Sequence, residues 1–242
     1  MCTTATKEID GARYLIKTRD PVSWMRWDDE IKLFNNPNYD KFKKLIVQNP
    51  DQNQDGFYGG INEKGVAIVA TYVKVSENGI SYLRKPYIRL ILDASTAKEA
   101  VEIIKNFSPR IGGNIFVADK NECYGIEAVP EEYFIEEVEN AAVKTNHFIH
   151  LNRRPIDEFL KEWSQDHYNR AEELINSAAS LEDLKNILRD RENSDKKTAI
   201  CTVRSEDACF TYSAFIFDCT NIKAYYCQGN PLENEFVEYG FN

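Results

Sequence analysis

The feature that most limits what this chain can fold into is the grouping of its strand-like and helix-like stretches. Strand patterns at Asn114–Asp119, Cys123–Val129, Tyr133–Val138 and Ala141–Thr145 follow one another with only a few residues between them. A long helical stretch then runs from Pro155 to Arg191, and strands return at Thr198–Arg204, Phe210–Asp218 and Ile222–Cys227. A parallel sheet needs a crossover of a dozen or more residues, usually a helix, after each strand. Strands in blocks with helices in blocks between them imply an α+β fold of mainly antiparallel sheets covered by helices.

The individual stretches carry their own signals. Ser95 starts a helix whose apolar residues Ala100, Ile103, Ile104 and Phe107 keep helical spacing until Ser108-Pro109 stops it. Tyr168, Ala171, Leu174, Ile175 and Ala178 form one helical stripe. Ser180 caps a second helix, with Asp183 at its third position and Leu181, Leu184, Ile187 and Leu188 on its inner face. These stripes are core. Val66–Val75 is a β-branched run that reads as a buried strand. The glycines between Asp55 and Gly65 mark either hairpin turns or a close backbone approach to a ligand. Trp24 to Pro50 reads as a loop with at most one helical turn, covering the surface or lining a pocket.

Composition narrows the function. No linker-like stretch interrupts residues 1–242, so a single domain is expected. Thirty-nine acids against thirty bases give a net charge of −9, which argues against a nucleic-acid partner. No apolar run reaches membrane-spanning length, and no secretion signal opens the chain, so a cytoplasmic protein is expected. A homo-oligomer is left open. In that compartment the six cysteines (2, 123, 201, 209, 219, 227) are expected as free thiols packed in strands. Their spacing matches no zinc pattern and there are only three histidines, so neither a metal nor a cofactor is expected.

Cys2 stands apart. Removal of Met1 would make it the chain terminus, carrying a nucleophilic thiol and a basic α-amine with a pKa of about 7.7–8.0 on one residue. Asp10-Gly11 is a tight-turn dipeptide, and Ala12–Thr18 reads as the strand returning from it. Such a hairpin brings Thr18, Arg19 and Asp20 back beside Cys2. A cation there would lower the thiol pKa and an acid would hold the amine.

Several stretches, taken in order, resemble a known family. They are Met-Cys-Thr-Thr at 1–4, Arg-Asp at 19–20, Gly-Ile-Asn-Glu-Lys-Gly-Val at 60–66, Gly-Gly-Asn-Ile-Phe-Val-Ala-Asp at 112–119, Lys-Thr-Asn-His-Phe at 144–148, Tyr-Asn-Arg-Ala-Glu-Glu-Leu at 168–174 and Gln-Gly-Asn-Pro at 228–231. They are similar to the N-terminal-nucleophile hydrolases of the penicillin (isopenicillin N) acyltransferase branch. The choloylglycine hydrolases, which include bile salt hydrolases and penicillin V acylases, are the nearest cousins. The resemblance implies a four-layer αββα sandwich and hydrolysis, or acyl transfer, at the carbon–nitrogen bond of a small linear acyl amide.

By the same resemblance Cys2 is the nucleophile, Asp20 the acid holding its amine, Asn146 an oxyanion donor through its side chain, and Tyr72 the second donor through its backbone N–H. Two departures stand out. The choloylglycine enzymes carry an arginine three residues before the acid, where this chain has Lys17; Arg19 adjoins Asp20, so either could be the site cation. Arg204 is the counterpart offered for their late arginine. The acyltransferase branch usually frees its cysteine by self-cleavage, whereas here only Met1 precedes it, and the shorter chain implies trimmed pocket loops that disfavour bile acids. Trp24, Trp27, Phe57, Tyr58 and Tyr72 are either an aromatic acyl pocket or aromatic core.

Three other readings stay open: a catalytically silent or regulatory small-molecule-binding protein on the same fold, a redox-sensing cysteine protein, and a cysteine hydrolase using His147 or His150 as base. Of Lys17 and Arg19, one is expected to face the thiol and the other solvent.

Overall fold

The computed structural model describes residues 2–20, 29–50, 56–73, 85–106, 113–129, 132–152, 158–192, 199–203 and 210–241. The chain opens with the expected hairpin. Strand β1 (Thr4–Ile9) turns through Asp10 and Gly11 into β2 (Ala12–Arg19). Both turn residues have positive φ, 50° and 77°. Such a turn matches the right-handed twist of the strands it joins, and Gly11 adopts it without a Cβ penalty. The register is thereby set, with Thr4 opposite Lys17 and Ile9 opposite Ala12.

The strands form two antiparallel sheets. The second is built from β3 (Glu30–Phe34), β4 (Lys44–Asn49), β5 (Gly56–Asn62), β6 (Ala67–Thr71), β7 (Gly113–Ala118), β8 (Cys123–Val129) and β9 (Glu132–Glu137), paired in chain order. The first adds β10 (Ala141–Lys144), β11 (Ser213–Asp218), β12 (Lys223–Gln228) and β13 (Val237–Tyr239) to the opening hairpin, in the order β10-β1-β2-β11-β12-β13. The hairpin is thus central, held on one side by the strand that leads to Asn146 and on the other by a strand from the C-terminal block.

Strand alternation sorts the side chains into layers. Leu15, Leu45, Val47, Ile61, Val69, Phe116, Phe215 and Phe217 meet between the sheets. Helices α1 (Lys85–Ile91) and α2 (Ala97–Asn106) cover the outer face of the second sheet through Ile88, Ile91, Ala100 and Ile104. Helices α3 (Glu158–Ser177) and α4 (Leu181–Leu188) cover the first through Ala171, Ile175, Leu184 and Leu188. The result is the αββα sandwich. Each fully buried apolar side chain contributes about 1.5–3 kcal/mol, so three such layers far outweigh any surface pair. The expected α4 cap forms: the Asp183 amide donates to Ser180 Oγ at 3.1 Å.

Four sequence-based expectations need correction. Within the stretch read as a loop, β3 and β4 are strands. Lys44 disguised β4: its side chain is fully buried, with Nζ 2.8 Å from Asp40 and 2.6 Å from Asp93. That pairing with an acid far along the chain makes a lysine tolerable in a central strand. Of the glycines between Asp55 and Gly65, only Gly65, with φ 86°, makes a turn; Gly56, Gly59 and Gly60 lie within strand β5, where a Cβ on Gly59 would lie 2.8 Å from the Phe215 ring. The described part of Thr198–Arg204, residues 199–203, is irregular. Helix α1 and the short edge strand β13 were not expected from sequence.

Candidate active site

The alternation that builds the inter-sheet core also builds the site. On β1 the even residues face the space between the sheets, with Thr6 Oγ1 3.5 Å from Cys123 Sγ. Cys2 continues that row one step before the strand begins. On β2 the odd residues share this face: Leu15 in the core, then Lys17, then Arg19. Thr18 lies on the opposite face. Its amide donates to the Thr3 carbonyl at 2.9 Å, and its Oγ1 accepts from the Thr3 amide at 3.0 Å while donating to Asp20 Oδ2 at 3.0 Å. The hairpin thus returns Lys17, Arg19 and Asp20 beside Cys2.

Neither cation faces solvent. Lys17 is 2% exposed and Arg19 8%. The expectation that they would diverge fails because β2 stays regular to its last residue, with Arg19 paired to Ser213 of β11. Their partners differ. Lys17 is drawn to the Cys2 thiol by charge. The Arg19 guanidinium stacks 3.9 Å from the Tyr58 ring centroid, with its Nε 3.6 Å from Asp29. Asp29 is fully buried and its Oδ2 accepts from Ser213 Oγ at 3.2 Å. Sequence reading did not find Asp29, which stands in no motif.

These surroundings act on the thiol. Burial alone pushes the Cys2 pKa up, but Lys17 foremost, then the chain-terminal ammonium, then Arg19 pull it down past its ordinary value in spite of Asp20. The other described thiols move the opposite way: burial pushes Cys123 to about 11, Cys201 to about 12, Cys227 to about 11, and Cys219 well above normal. Burial also pushes the Asp20 carboxyl up, against hydrogen bonds from Thr211 and Thr18 that hold it down. Lys17 itself is pushed down by burial, against the attraction of Cys2. Replacing Lys17 by Met is therefore expected to raise the midpoint of the pH profile for iodoacetamide alkylation of Cys2, and Arg19→Met to raise it less. Equal midpoints in both variants and the parent would place the effective cation elsewhere.

Asn146 reaches the site from the turn after β10. Its Oδ1 accepts from the Cys2 nitrogen at 2.8 Å, and its Nδ2 donates to the Tyr72 carbonyl at 2.6 Å. One side-chain amide thus ties Cys2 to the segment just past β6. The Cys2 nitrogen therefore donates to Asn146, whereas Asp20 acts on Cys2 through charge and binds Thr18 and Thr211.

The remaining candidates separate cleanly. Between Val47↔Gly59 and Gln48↔Phe57 the β4–β5 register slips by one residue, leaving Tyr58 as a bulge. A bulge re-aims a side chain: Tyr58 turns to the inter-sheet side and meets Arg19, and burial pushes its phenol up to about 12. Phe57 points the other way, into the layer under α1 and α2, edge-on to Phe34 at 5.4 Å. It is core. Trp24, Trp27 and Arg204 lie outside the described residues. His147 directs Nδ1 at Ser164 Oγ, 2.8 Å away, and His150 stacks on Phe134 with centroids 3.9 Å apart. Among the described residues no group of His, Cys, Asp and Glu gathers as a metal site.

Comparison with known proteins agrees with this architecture. The family model for acyl-coenzyme A:6-aminopenicillanic acid acyl-transferase matches residues 6–233. The chain belongs to that acyl-transferase family. The matched span starts after Cys2, so it includes Asp20 and Asn146 but not the cysteine itself. No curated protein matches the chain. Among solved structures, a variant of conjugated bile acid hydrolase from Clostridium perfringens superposes with a TM-score of 0.57 at 14% identity, covering 100% of this chain and 97% of that one. Penicillin V acylase from Agrobacterium tumefaciens gives 0.52 at 14% identity, covering 94% and 83%. At such identities the likeness concerns the fold. Family membership and fold thus agree: this is a member of the acyl-transferase family on the fold those solved structures share. Among the described residues no helix is long and apolar enough to cross a membrane.

Proposed function

We propose that the chain, with Met1 removed, is a cytoplasmic enzyme that cleaves or transfers the acyl group of small linear amides through Cys2. The observation that carries this reading is the contrast among the thiols: Cys2 alone among those described is shifted toward thiolate, beside a buried lysine, with its nitrogen held by Asn146. Perturbed nucleophiles of this kind gather at functional sites.

In the proposed reaction the Cys2 α-amine accepts the thiol proton and Sγ adds to the amide carbonyl. The carbonyl electron pair moves onto oxygen. Asn146 Nδ2 carries two hydrogens; one engages the Tyr72 carbonyl and the other is assigned to this oxyanion, together with the Tyr72 N–H. Each such donor is worth about 10²–10³ in turnover. Collapse breaks the C–N bond, and the ammonium proton leaves with the amine. Water, or a second amine, then attacks the thioester and frees Cys2. Lys17 favours the thiolate, Asp20 balances the local charge, and Arg19 with Tyr58 and Asp29 forms a wall of the acyl side. The half-buried Tyr58 ring suits an aromatic or otherwise apolar acyl group.

The deciding experiment offers purified protein a panel of amides, including phenoxyacetyl- and phenylacetyl-amines, N-acyl amino acids and glycine-conjugated bile acids. After acid quench the Cys2 peptide is weighed. An added acyl mass on that peptide, absent from Cys2→Ser, is the expected outcome. Turnover without any acylated Cys2 would contradict it, and neither turnover nor acylation across the panel favours a binding protein on this fold.

A further inference from the structure

We infer that Ser164 is a positioning residue for the oxyanion donor Asn146, acting from helix α3 across the layer boundary. The inference rests on the proposed oxyanion role of Asn146. Ser164 is fully buried on the face of α3 that meets the turn after β10. Its single hydroxyl serves all three residues of that turn. Oγ accepts from the Asn146 amide at 2.8 Å, donates to Thr145 Oγ1 at 2.9 Å, and lies 2.8 Å from His147 Nδ1. Thr145 Oγ1 returns a bond to the Ser164 carbonyl at 3.0 Å.

The hydrogens can be counted. Ser164 has one proton and two lone pairs. With the proton given to Thr145, both lone pairs receive: one from the Asn146 N–H, the other from His147 carrying its proton on Nδ1. The hydroxyl is used to capacity, and no carbon-only side chain at this position could replace it. The sheet supports the turn from the other side, because Asn114 Nδ2 donates to the Thr145 and His147 carbonyls at 2.8 Å each. The Asn146 backbone is therefore gripped between α3 and β7. Its side chain projects from that grip to Cys2 and Tyr72. An oxyanion donor is effective only if its N–H waits where the charge will develop, and displacements near 1 Å cost about 100-fold in favourable cases. Releasing one side of the grip should cost less than deleting the donor.

The test separates oxyanion chemistry from thiol chemistry. p-Nitrophenyl acetate acylates Cys2 through a tetrahedral oxyanion. Iodoacetamide alkylates it by displacement of iodide, with no oxyanion formed. Ser164→Ala is expected to slow acylation about 10-fold and to leave alkylation, read by mass on the Cys2 peptide, within twofold. Asn146→Ala is the reference and should slow acylation about 10²-fold or more. If Asn146→Ala leaves acylation unchanged, the oxyanion reading itself is wrong. If Asn146→Ala slows acylation and Ser164→Ala does not, the Ser164 inference alone is overturned. A Ser164→Ala protein that loses both reactions in equal measure also overturns it, since the defect would lie in the fold or the nucleophile. Should that variant prove insoluble, Ser164→Cys, which keeps a weaker acceptor at the same place, is expected to show the same selective loss on a smaller scale. Parent-like acylation by Ser164→Cys would then count against the inference.

Discussion

Cys2→Ala is expected to abolish turnover on any amide the enzyme accepts while changing stability by no more than a surface substitution would, about 0.5 kcal/mol. The asymmetry follows from where Cys2 sits. It lies before β1, half-buried, and belongs to none of the buried apolar clusters. Its removal exposes no core, and Lys17, already pushed toward its neutral form by burial, loses the attraction of the thiolate but keeps that of Asp20. The chemistry has no substitute: burial pushes the pKa of each other described thiol up rather than down. Residual turnover above about one part in a thousand would show that another group attacks the carbonyl, because removing a catalytic nucleophile costs about 10⁶ in turnover. Calorimetry beside a product assay gives both halves of the result.

The second large effect concerns the nitrogen rather than the sulfur. A variant with an uncleavable extension before Cys2 should fold normally and be inactive. Folding survives because the bond from the Cys2 nitrogen to Asn146 needs only an N–H, which a peptide nitrogen supplies. Activity is lost because an amide nitrogen has no basic lone pair to take the thiol proton, and the added residues would occupy the leaving group's place. A histidine-based cysteine hydrolase predicts the reverse: an active extended protein and a dead His147 or His150 variant. The geometry favours the amine, since His147 is directed at Ser164 and His150 at Phe134. Mass spectrometry of the mature chain with a turnover assay on both forms decides the matter. Full activity in the extended protein would remove the α-amine from the mechanism.

What could be read from sequence was mostly local. The Asp10-Gly11 turn, the Ser180 cap and the strand at Cys123–Val129 are decided by neighbours along the chain, and each formed where its residues pointed. The block order of strands and helices was enough for the layered architecture. What failed depended on partners far away. Lys44 reads as a surface lysine until Asp93 is beside it. Phe57 and Tyr58 read alike, as pocket or as core, until a one-residue bulge sends them to opposite sides of the sheet. At the site, Cys2, Asp20 and Asn146 were legible because their residue types and order carry a family resemblance. Asp29 and Ser164 were not: an aspartate and a serine acquire meaning only when an arginine or a turn arrives from elsewhere in the fold.

The two positive-φ residues of the first turn have a reach their position conceals. Asp10 and Gly11 fix which residue of β2 lies opposite which residue of β1. Because side chains alternate strictly, a slip of one residue exchanges the two faces of a strand. Lys17 and Arg19 would swing toward the helices, and Thr18 would stand where the thiol needs its cation. Eight residues of extended strand at about 3.3 Å each put that turn roughly 25 Å from Cys2. A single inserted residue there, touching nothing catalytic, would disarm the nucleophile as surely as replacing Lys17, while the sheet could still close. The loop between these strands is in effect a distant setting screw for thiol acidity, and its length is a more sensitive coordinate for engineering this enzyme than most residues that line the site.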